Sequence, residues 1–159
     1  MIRIPRPAPT KANEVWSIDF MYDRFEDGRK MKILTTVDDQ SKKTPGLLVD
    51  TSITGVKLVR WFDSLEVLPK RIRCDNGPEF WSKDFLEWAE KRGIEIEFIE
   101  PGKQNQNAYI ESFSSRLRDE CLNENLFFNL EHARRLVLQY EKFYNEERPH
   151  SSIGYKTLN

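Results

Sequence analysis

The sequence predicts an α/β domain in which a five-stranded mixed sheet is flanked by helices. Segments that alternate apolar and polar residues come first, and segments with helical apolar periodicity follow, interleaved with further strands. The resulting order, β-β-β-α-β-α-β-α-α, favours an antiparallel three-strand meander that is extended by parallel strands. The chain has 159 residues, of which 12% are aromatic, and this is enough for one domain with a packed core.

The first three strands are predicted from alternation and from one turn. Val15–Tyr22 places Trp, Ile, Phe and Tyr on one side and Val, Ser, Asp and Met on the other. Asp27-Gly28 is a typical hairpin turn pair, so the next strand, Met31–Val37, is expected to run antiparallel to the first. Leu47–Thr51 is the third predicted strand.

Two helices and two short strands follow. Thr54 and Ser82 are predicted helix caps, because each hydroxyl residue stands just before an apolar stripe of helical spacing. Arg71–Cys74 and Ile94–Ile99 are the strands on either side of the second helix. The stripes consist of Leu58, Phe62 and Leu65 in the first helix and of Phe85, Leu86 and Ala89 in the second.

The last part of the chain is predicted to be helical. A third helix is expected from near Asn107 to about Leu122, and a fourth helix after Asn129, with its end at Pro149. Their buried stripes are Ile110, Phe113, Leu117 and Cys121 in the third helix, and Leu130, Ala133, Val137, Tyr140 and Tyr144 in the fourth.

Composition assigns the chain to a class and a compartment. Residues 1–13 contain three Pro and three basic residues and are expected to form an extended linker, with residues 14–159 as the core domain. No run of about 18 apolar residues is present, which excludes a membrane-spanning helix. The two Cys form no disulfide framework, and no metal-binding Cys or His spacing is present. A cytosolic protein is therefore expected.

Three acidic residues stand in unusual contexts. Asp19 lies in the middle of an aromatic-rich strand, where a carboxylate is costly unless something pairs with it or its side of the strand faces solvent. Asp75 ends a strand before Asn76-Gly77, either as a local turn former or at the strand end where α/β sheets bind ligands. Glu111 borders the apolar stripe of the third helix, and in isolation it reads as an ordinary surface residue.

Together the three carboxylates predict a divalent cation site. Carboxylates brought together from a central strand, a strand end and a helix would repel one another, and a divalent cation removes that repulsion. A set of oxygen ligands without Cys or His favours Mg²⁺ or Mn²⁺ over zinc.

Several motifs stand in a fixed order along nearly the whole chain. They are Val15–Phe20, Val37–Lys42, Asp75–Phe80, Pro101–Lys103, Gln106–Phe113, Arg118–Asn123, Tyr144–Asn145 and Arg148–His150. Asp75 and Glu111 are separated by 35 residues. With these motifs and this gap, the sequence resembles the catalytic domain of the DDE transposases of bacterial insertion sequences, the branch nearest to retroviral integrases.

The resemblance implies an RNase H-like fold with Asp19, Asp75 and Glu111 as catalytic triad and metal ligands. It implies two Mg²⁺ ions, for which Mn²⁺ substitutes, with Asp19 bridging the two and each of the other acids holding one. The implied reaction is metal-dependent cleavage of DNA phosphodiester bonds followed by strand transfer. Asp38 and Asp39 match the family outside the triad and are interpreted as structural or phosphate-proximal.

The resemblance also implies partners and a location. They are transposon ends and target duplex DNA, further copies of the same chain, and a helix-turn-helix region N-terminal to this core, in the bacterial cytoplasm at the nucleoid. Lys103, Asn107, Arg118 and Arg148 are candidates for phosphate contacts, with plain solubility as the alternative. The four Trp are expected in the core or at an interface rather than as platforms for nucleobases.

Two other functions remain open at this point. An RNase H-like nuclease without strand transfer would carry the same triad, and an inactive DNA-binding or assembly module would keep the fold. The formal net charge of -1 argues against a nucleic-acid partner, since such proteins are usually basic. Two bound Mg²⁺ ions would bring the formal total from -1 to +3, with the change located at the acids.

Overall fold

The structure, a computed structural model, describes residues 8–100 and 108–154, with the backbone alone for residues 148–154. Strands and helices follow one another in the predicted order. The strands are β1 (Val15–Arg24), β2 (Lys30–Asp38), β3 (Leu48–Asp50), β4 (Arg71–Cys74) and β5 (Glu95–Phe98). The helices are α1 (Gly55–Asp63), α2 (Lys83–Arg92), α3 (Ala108–Leu117) and α4 (Leu130–Gly154).

The sheet has the order β3-β2-β1-β4-β5, which confirms the predicted mixed five-stranded arrangement. β1 pairs antiparallel with β2, from Trp16 opposite Asp38 to Arg24 opposite Lys30, and β2 pairs antiparallel with β3. On the other side β4 runs parallel to β1, and β5 runs parallel to β4. β1 is therefore the central strand, and its backbone is bonded on both sides.

Helices cover both faces of the sheet over two clusters of buried apolar side chains. α1 and α2 pack on one face, where Phe62 is fully buried and its ring centroid lies 6.5 Å from Trp16 and 5.1 Å from Trp88. α3 and α4 pack on the other face, where Phe113 meets Tyr144 edge to face at 4.7 Å. The second contact joins the two helices of that face and fixes α3 against the sheet.

The predicted caps and the predicted hairpin turn are confirmed. The Thr54 hydroxyl accepts the N–H of Lys57 at 3.2 Å, and the Ser82 hydroxyl accepts the N–H of Phe85 at 3.2 Å. Gly28 joins β1 to β2 with a φ of 90°, a conformation that glycine adopts without steric cost.

Two segments carry a proline within a helical turn, and at one of them the structure differs from the sequence prediction. Pro78–Trp81 forms a short 3-10 turn between β4 and α2, with the proline in its first turn, where the missing N–H costs nothing. The prediction that Pro149 ends the last helix is wrong, because α4 continues to Gly154. A proline inside a helix removes one backbone donor and crowds the carbonyl of the preceding turn, which disfavours the helix locally but leaves the hydrogen bonds beyond that turn available.

The third helix also differs, because its regular geometry ends at Leu117. Residues Arg118–Leu122 form a π turn in which the N–H of Asn123 donates to the Arg118 carbonyl at 2.8 Å. Two consecutive residues of this wider turn, Cys121 and Leu122, lie in the core.

Other parts of the chain bear on the predicted organisation. Asn13, at the end of the predicted linker, is bound to the sheet, because its N–H donates to Asp38 at 2.6 Å and its carbonyl accepts the N–H of Lys70 at 3.1 Å. Cys74 and Cys121 are free thiols, and burial raises the pKa of both. Within the described ranges, no helix is long and apolar enough to cross a membrane.

Phe113→Ala tests how α3 is held. The ring is 0% exposed, so its removal is expected to lower the free energy of unfolding by about 3–5 kcal/mol. Phe143→Ala is the matched control on α4, where the ring is 51% exposed and the expected change is within about 0.5 kcal/mol. Urea unfolding followed by circular dichroism measures both, and equal losses would contradict the packing assigned to α3.

Candidate active site

Asp19 lies near the middle of the central strand. Successive side chains of β1 point to opposite faces, so Asp19 shares a face with Ser17, and its neighbour Ile18 is in the α1 and α2 core. The side chain is half-buried, and its Oδ1 accepts the N–H of Phe20 at 2.8 Å. The carbonyl of Asp19 accepts the Thr35 hydroxyl on β2 at 3.2 Å. β2 therefore holds this position through the Thr35 hydroxyl as well as through strand pairing.

Asp75 follows directly after β4, beside Asp19. The parallel register pairs Ser17 with Arg73, and the same register continued by two residues brings Asp19 next to Asp75. Asp75 is also a local turn former, since its Oδ1 accepts the N–H of Gly77 at 2.8 Å. A Cβ at Gly77 would lie 3.1 Å from that oxygen, so glycine leaves the carboxyl its space.

The charges of the acids act on one another. Burial raises the pKa of Asp19 to about 6 against an ordinary 3.8, and the bond from the Phe20 N–H lowers it in part. The negative charges of Asp75 and Glu111 raise this pKa further, as does a hydrogen bond with the Asp75 carboxyl. Asp19 is therefore a carboxyl whose ionised form is disfavoured by its surroundings, and a positive charge at this point would relieve the penalty.

Glu111 is exposed in the first turn of α3. The predicted stripe of Ile110, Phe113 and Leu117 is fully buried, so the helix is oriented on the sheet as the sequence predicts. Ser114 on the same helix lies 3.5 Å from the Thr35 hydroxyl, which itself bonds the Asp19 carbonyl. α3 therefore crosses the sheet at Asp19, and the Glu111 charge is felt there.

The three acids influence one another but do not converge on one point. In the part of the chain that the structure describes, no group of three His, Cys, Asp or Glu side chains is arranged to hold a metal ion. Charges act on one another over longer distances than those at which side chains coordinate a metal ion. The effect of Asp75 and Glu111 on the pKa of Asp19 therefore shows that the acids are near one another, and it does not require that they already form a metal site. The donor set itself fits a hard cation, because it consists of carboxylate oxygens that destabilise one another.

Asp38 and Asp39, interpreted from the sequence as structural or phosphate-proximal, make contacts of the structural kind. Asp38 accepts the backbone N–H groups of Gln40 and Ser41 at 2.8 and 3.1 Å, which closes the turn after β2. Asp39 accepts the Ser17 hydroxyl at 2.8 Å and pairs with Arg73 at 2.9 Å. Arg73 is thus part of an ion pair that joins β4 to this turn.

The structure describes only part of the four candidate DNA-contact residues. Lys103 and Asn107 lie outside the described residues, and the side chain of Arg148 does too. Arg118 donates to the Tyr22 carbonyl at 2.6 Å and pairs with Asp23 at 3.2 Å, so its guanidinium fastens the π turn to the end of β1. Its contact with phosphate stays a prediction.

Sequence reasoning missed one buried ion pair beside the Asp75 turn. Lys32, the third residue of β2, is 8% exposed and pairs with Glu79 of the 3-10 turn. Its ammonium also lies 4.2 Å from the centroid of the Phe20 ring. A lysine within an otherwise apolar strand was the available signal, because such a charge needs a partner.

The sequence predicts the four Trp in the core or at an interface, and Trp81 does not lie in the core, so for it only the interface part of that prediction stays open. Trp16 and Trp88 are 1% and 6% exposed, whereas Trp81 is 53% exposed. The 3-10 turn is the physical reason, since it buries Phe80 and turns the next side chain outward.

Known proteins resemble this chain along nearly its full length. The family profile described as Integrase core domain matches residues 9–104, and a second profile of the same description matches residues 92–157. The chain is 45% identical over 150 residues to the insertion element IS407 uncharacterized 31.7 kDa protein of Burkholderia multivorans. That match covers 92% of this chain and 54% of the relative, so the chain spans about half the length of that protein.

Solved structures share the fold. A chain of the simian T-cell lymphotropic virus intasome, in complex with the PP2A regulatory subunit B56 gamma, aligns with a TM-score of 0.62 at 17% identity, over 77% of this chain and 44% of that one. The HTLV-2 integrase catalytic core domain in complex with magnesium, in a dimeric form, aligns with a TM-score of 0.59 at 19% identity, over 72% and 73% of the two chains. The implied RNase H-like fold is thereby confirmed.

Asp19→Asn is expected to stabilise the protein in the presence of a chelator. Because the folded-state pKa of Asp19 is about 6 against 3.8, the folded protein binds the proton more tightly, and its free energy of unfolding falls as pH rises from about 4 to about 6. Discounted for partial exposure, the gain in the variant above pH 6 is about 1 kcal/mol. Urea unfolding across this pH range measures it. Glu90→Gln on the exposed face of α2 is the control, and a destabilised Asp19→Asn would contradict the assigned burial.

Lys32→Met tests the ion pair that anchors the Asp75 turn. Removal of the ammonium leaves the largely buried Glu79 without its partner, so the free energy of unfolding should fall by about 2 kcal/mol. Lys32→Met combined with Glu79→Gln should recover part of that loss. Lys83→Met removes an exposed pair with Glu87, which is expected to contribute less than about 0.5 kcal/mol. Thermal and urea unfolding compare the variants, and equal effects of the two lysines would show that the buried pair is not an anchor.

Proposed function

The chain belongs to the integrase core domain family, and from this we propose that it is the catalytic core of an insertion-sequence DDE transposase, which cleaves DNA and transfers the cut strand. The observation that carries the proposal is the position of Asp19 beside Asp75, with α3 crossing the sheet at Asp19 and the Glu111 charge felt there. The fold alone serves several chemistries, so this constellation is needed to select among them.

In the proposed mechanism the three acids are both the catalytic triad and the ligands of two Mg²⁺ ions. Asp19 would be shared between the ions, and Asp75 and Glu111 would each hold one. When bound, such ions neutralise phosphate charge and lower the pKa of an attacking water. The raised pKa of Asp19 supports this assignment, because a nearby positive charge makes its ionised form favourable at neutral pH.

The chain's own residues supply position rather than a covalent intermediate. Asp75 is oriented by the Gly77 N–H, and Glu111 is carried by a helix whose opposite side is locked in the core. In the first step a water oxygen attacks the phosphorus and the 3′ oxygen departs as a free hydroxyl. In the second step that 3′ hydroxyl attacks a phosphorus of the target duplex. A new phosphodiester bond joins the transposon end to the target strand, the bond from that phosphorus to the target's own 3′ oxygen breaks, and the number of phosphodiester bonds stays the same.

The proposed partners follow from this reaction. Transposon ends and a target duplex are the substrates, and strand transfer of two ends requires more than one copy of the chain. The dimeric form of the HTLV-2 core supports an oligomer. The greater length of the IS407 relative supports a further region, such as a helix-turn-helix, that recognises the ends and is joined to the core at residues 14–159 by the linker at 1–13.

Glu111→Gln is expected to keep the fold and to lose Mg²⁺-dependent nicking of end DNA by about a hundredfold or more, since it removes a charged ligand from an exposed position. Circular dichroism and a nicking assay on labelled duplex measure the two properties. Glu124→Gln, also at an exposed position, is the control for loss of a surface carboxylate.

A duplex with a pre-cut 3′-OH separates the proposed transposase from a plain nuclease. The wild-type chain should join this end to a second duplex, and Glu111→Gln should not. Wild-type levels of nicking in Glu111→Gln would overturn the assignment of the triad. Nicking by the wild type without joining of the pre-cut end would show a nuclease that lacks strand-transfer activity.

A further inference from the structure

Trp81 presents a large aromatic face to solvent. Its side chain is 53% exposed, although tryptophan is among the residues that gain most from burial. One face of the indole lies on the ring of Phe98, with centroids 3.9 Å apart and planes inclined by 3°. A parallel stack of this kind covers one face of a ring and leaves the opposite face open.

The orientation of the indole is fixed before any ligand arrives. Its Nε1–H donates to the Asn76 side chain at 3.4 Å, and Phe98 supports it from below. The preceding residue, Phe80, is fully buried and stacks on Phe20 at 5.0 Å, which anchors the 3-10 turn in the core. A ring held in this way loses little conformational entropy when a second ring stacks on it.

The stack lies at the edge of the sheet where the proposed chemistry takes place. Asn76 follows Asp75 in the chain, and Cys74 precedes Asp75. Phe98 of β5 is the register partner of Cys74. The carboxyl ends of β4 and β5 therefore bring the ring pair and the Asp75 carboxyl to one edge. Lys83, two residues after Trp81 in the chain, has a side chain that is 85% exposed.

We propose that the open face of Trp81 stacks on an unpaired nucleobase next to the phosphate that is cut. The inference rests on the proposed function, which places a DNA phosphate at Asp75 and thus a base within reach of the adjacent stack. Aromatic platforms bind any base through its π face, so the contact positions the strand without reading its sequence. Stacking holds a base that is out of its pair, which favours a frayed or distorted end over intact duplex.

The experiment measures binding of labelled end DNA by fluorescence anisotropy without divalent cation, so that no cleavage occurs. Trp81→Ala is expected to weaken binding of an end with unpaired terminal bases about tenfold, and Trp81→Tyr to retain most of the affinity. Phe143→Ala, which removes an exposed ring on α4, is the matched control and should bind like the wild type. Circular dichroism verifies that each variant is folded.

A series of abasic substrates identifies the stacked base. With the base removed at one position beside the cut, the wild type should lose the same factor of about ten, and Trp81→Ala should lose nothing more. Equal binding by Trp81→Ala and wild type on every substrate would overturn the inference, and so would a change in oligomeric state in Trp81→Ala, which would assign the ring to a contact between copies. If the wild type nicks DNA and Trp81→Ala binds and nicks equally well, the stacking role of Trp81 is contradicted and the proposed function is not. If the wild type neither binds nor nicks DNA, the proposed function fails with it.

Discussion

The parallel pairing of β1 with β4 is the constraint on which the candidate site depends. Backbone hydrogen bonds set Ser17 opposite Arg73, and this register leaves no choice about which later residues become neighbours. A shift by one residue would turn Asp19 into the aromatic core under α1 and α2. β2 holds the other edge of β1 through nine antiparallel pairs, so the strand cannot slide. The position of a carboxylate beside a second carboxylate is thus enforced by the whole sheet and not by the acids, which repel each other.

The turn after β4 extends the fixed geometry of the sheet to the protein surface. Asp75 bonds to the Gly77 N–H, Glu79 pairs with Lys32 of β2, and Phe80 is buried against Phe20 of β1. The first contact closes the turn on itself, and the other two tie it to β2 and to β1. A loop with so many attachments behaves as a rigid extension of the strands, as a site that must hold its geometry requires. The same rigidity turns Trp81 outward at a fixed angle.

The sequence predicted the elements well because they depend on local chemistry. Alternation defined β1, and the hydroxyl of Thr54 capped α1 as expected. The π turn could not be predicted, because helical periodicity places only Cys121 in the buried stripe, and the burial of Leu122 beside it depends on packing against an already folded sheet. The outward position of Trp81 was missed for a similar reason, since a tryptophan's side is decided by the turn before it. The placement of Asp19 and Asp75 followed from strand order, whereas the rise in the pKa of Asp19 depends on the register and the burial that the folded sheet gives it.

The distribution of charge decides what attracts a phosphate to the site. Two cations on the elements that carry the acids are already engaged, since Arg73 of β4 pairs with Asp39 and Arg118, which follows α3, pairs with Asp23. An ion pair of this kind is nearly neutral at a distance and adds little to the potential felt by an approaching polyanion. With a formal net charge of -1, the protein has no general excess of positive charge to compensate. In the proposed mechanism, bound divalent cations would neutralise the phosphate at Asp19 and Asp75 for the reaction. A base held by stacking would add affinity that does not depend on those cations, as lysine and arginine do in more basic proteins.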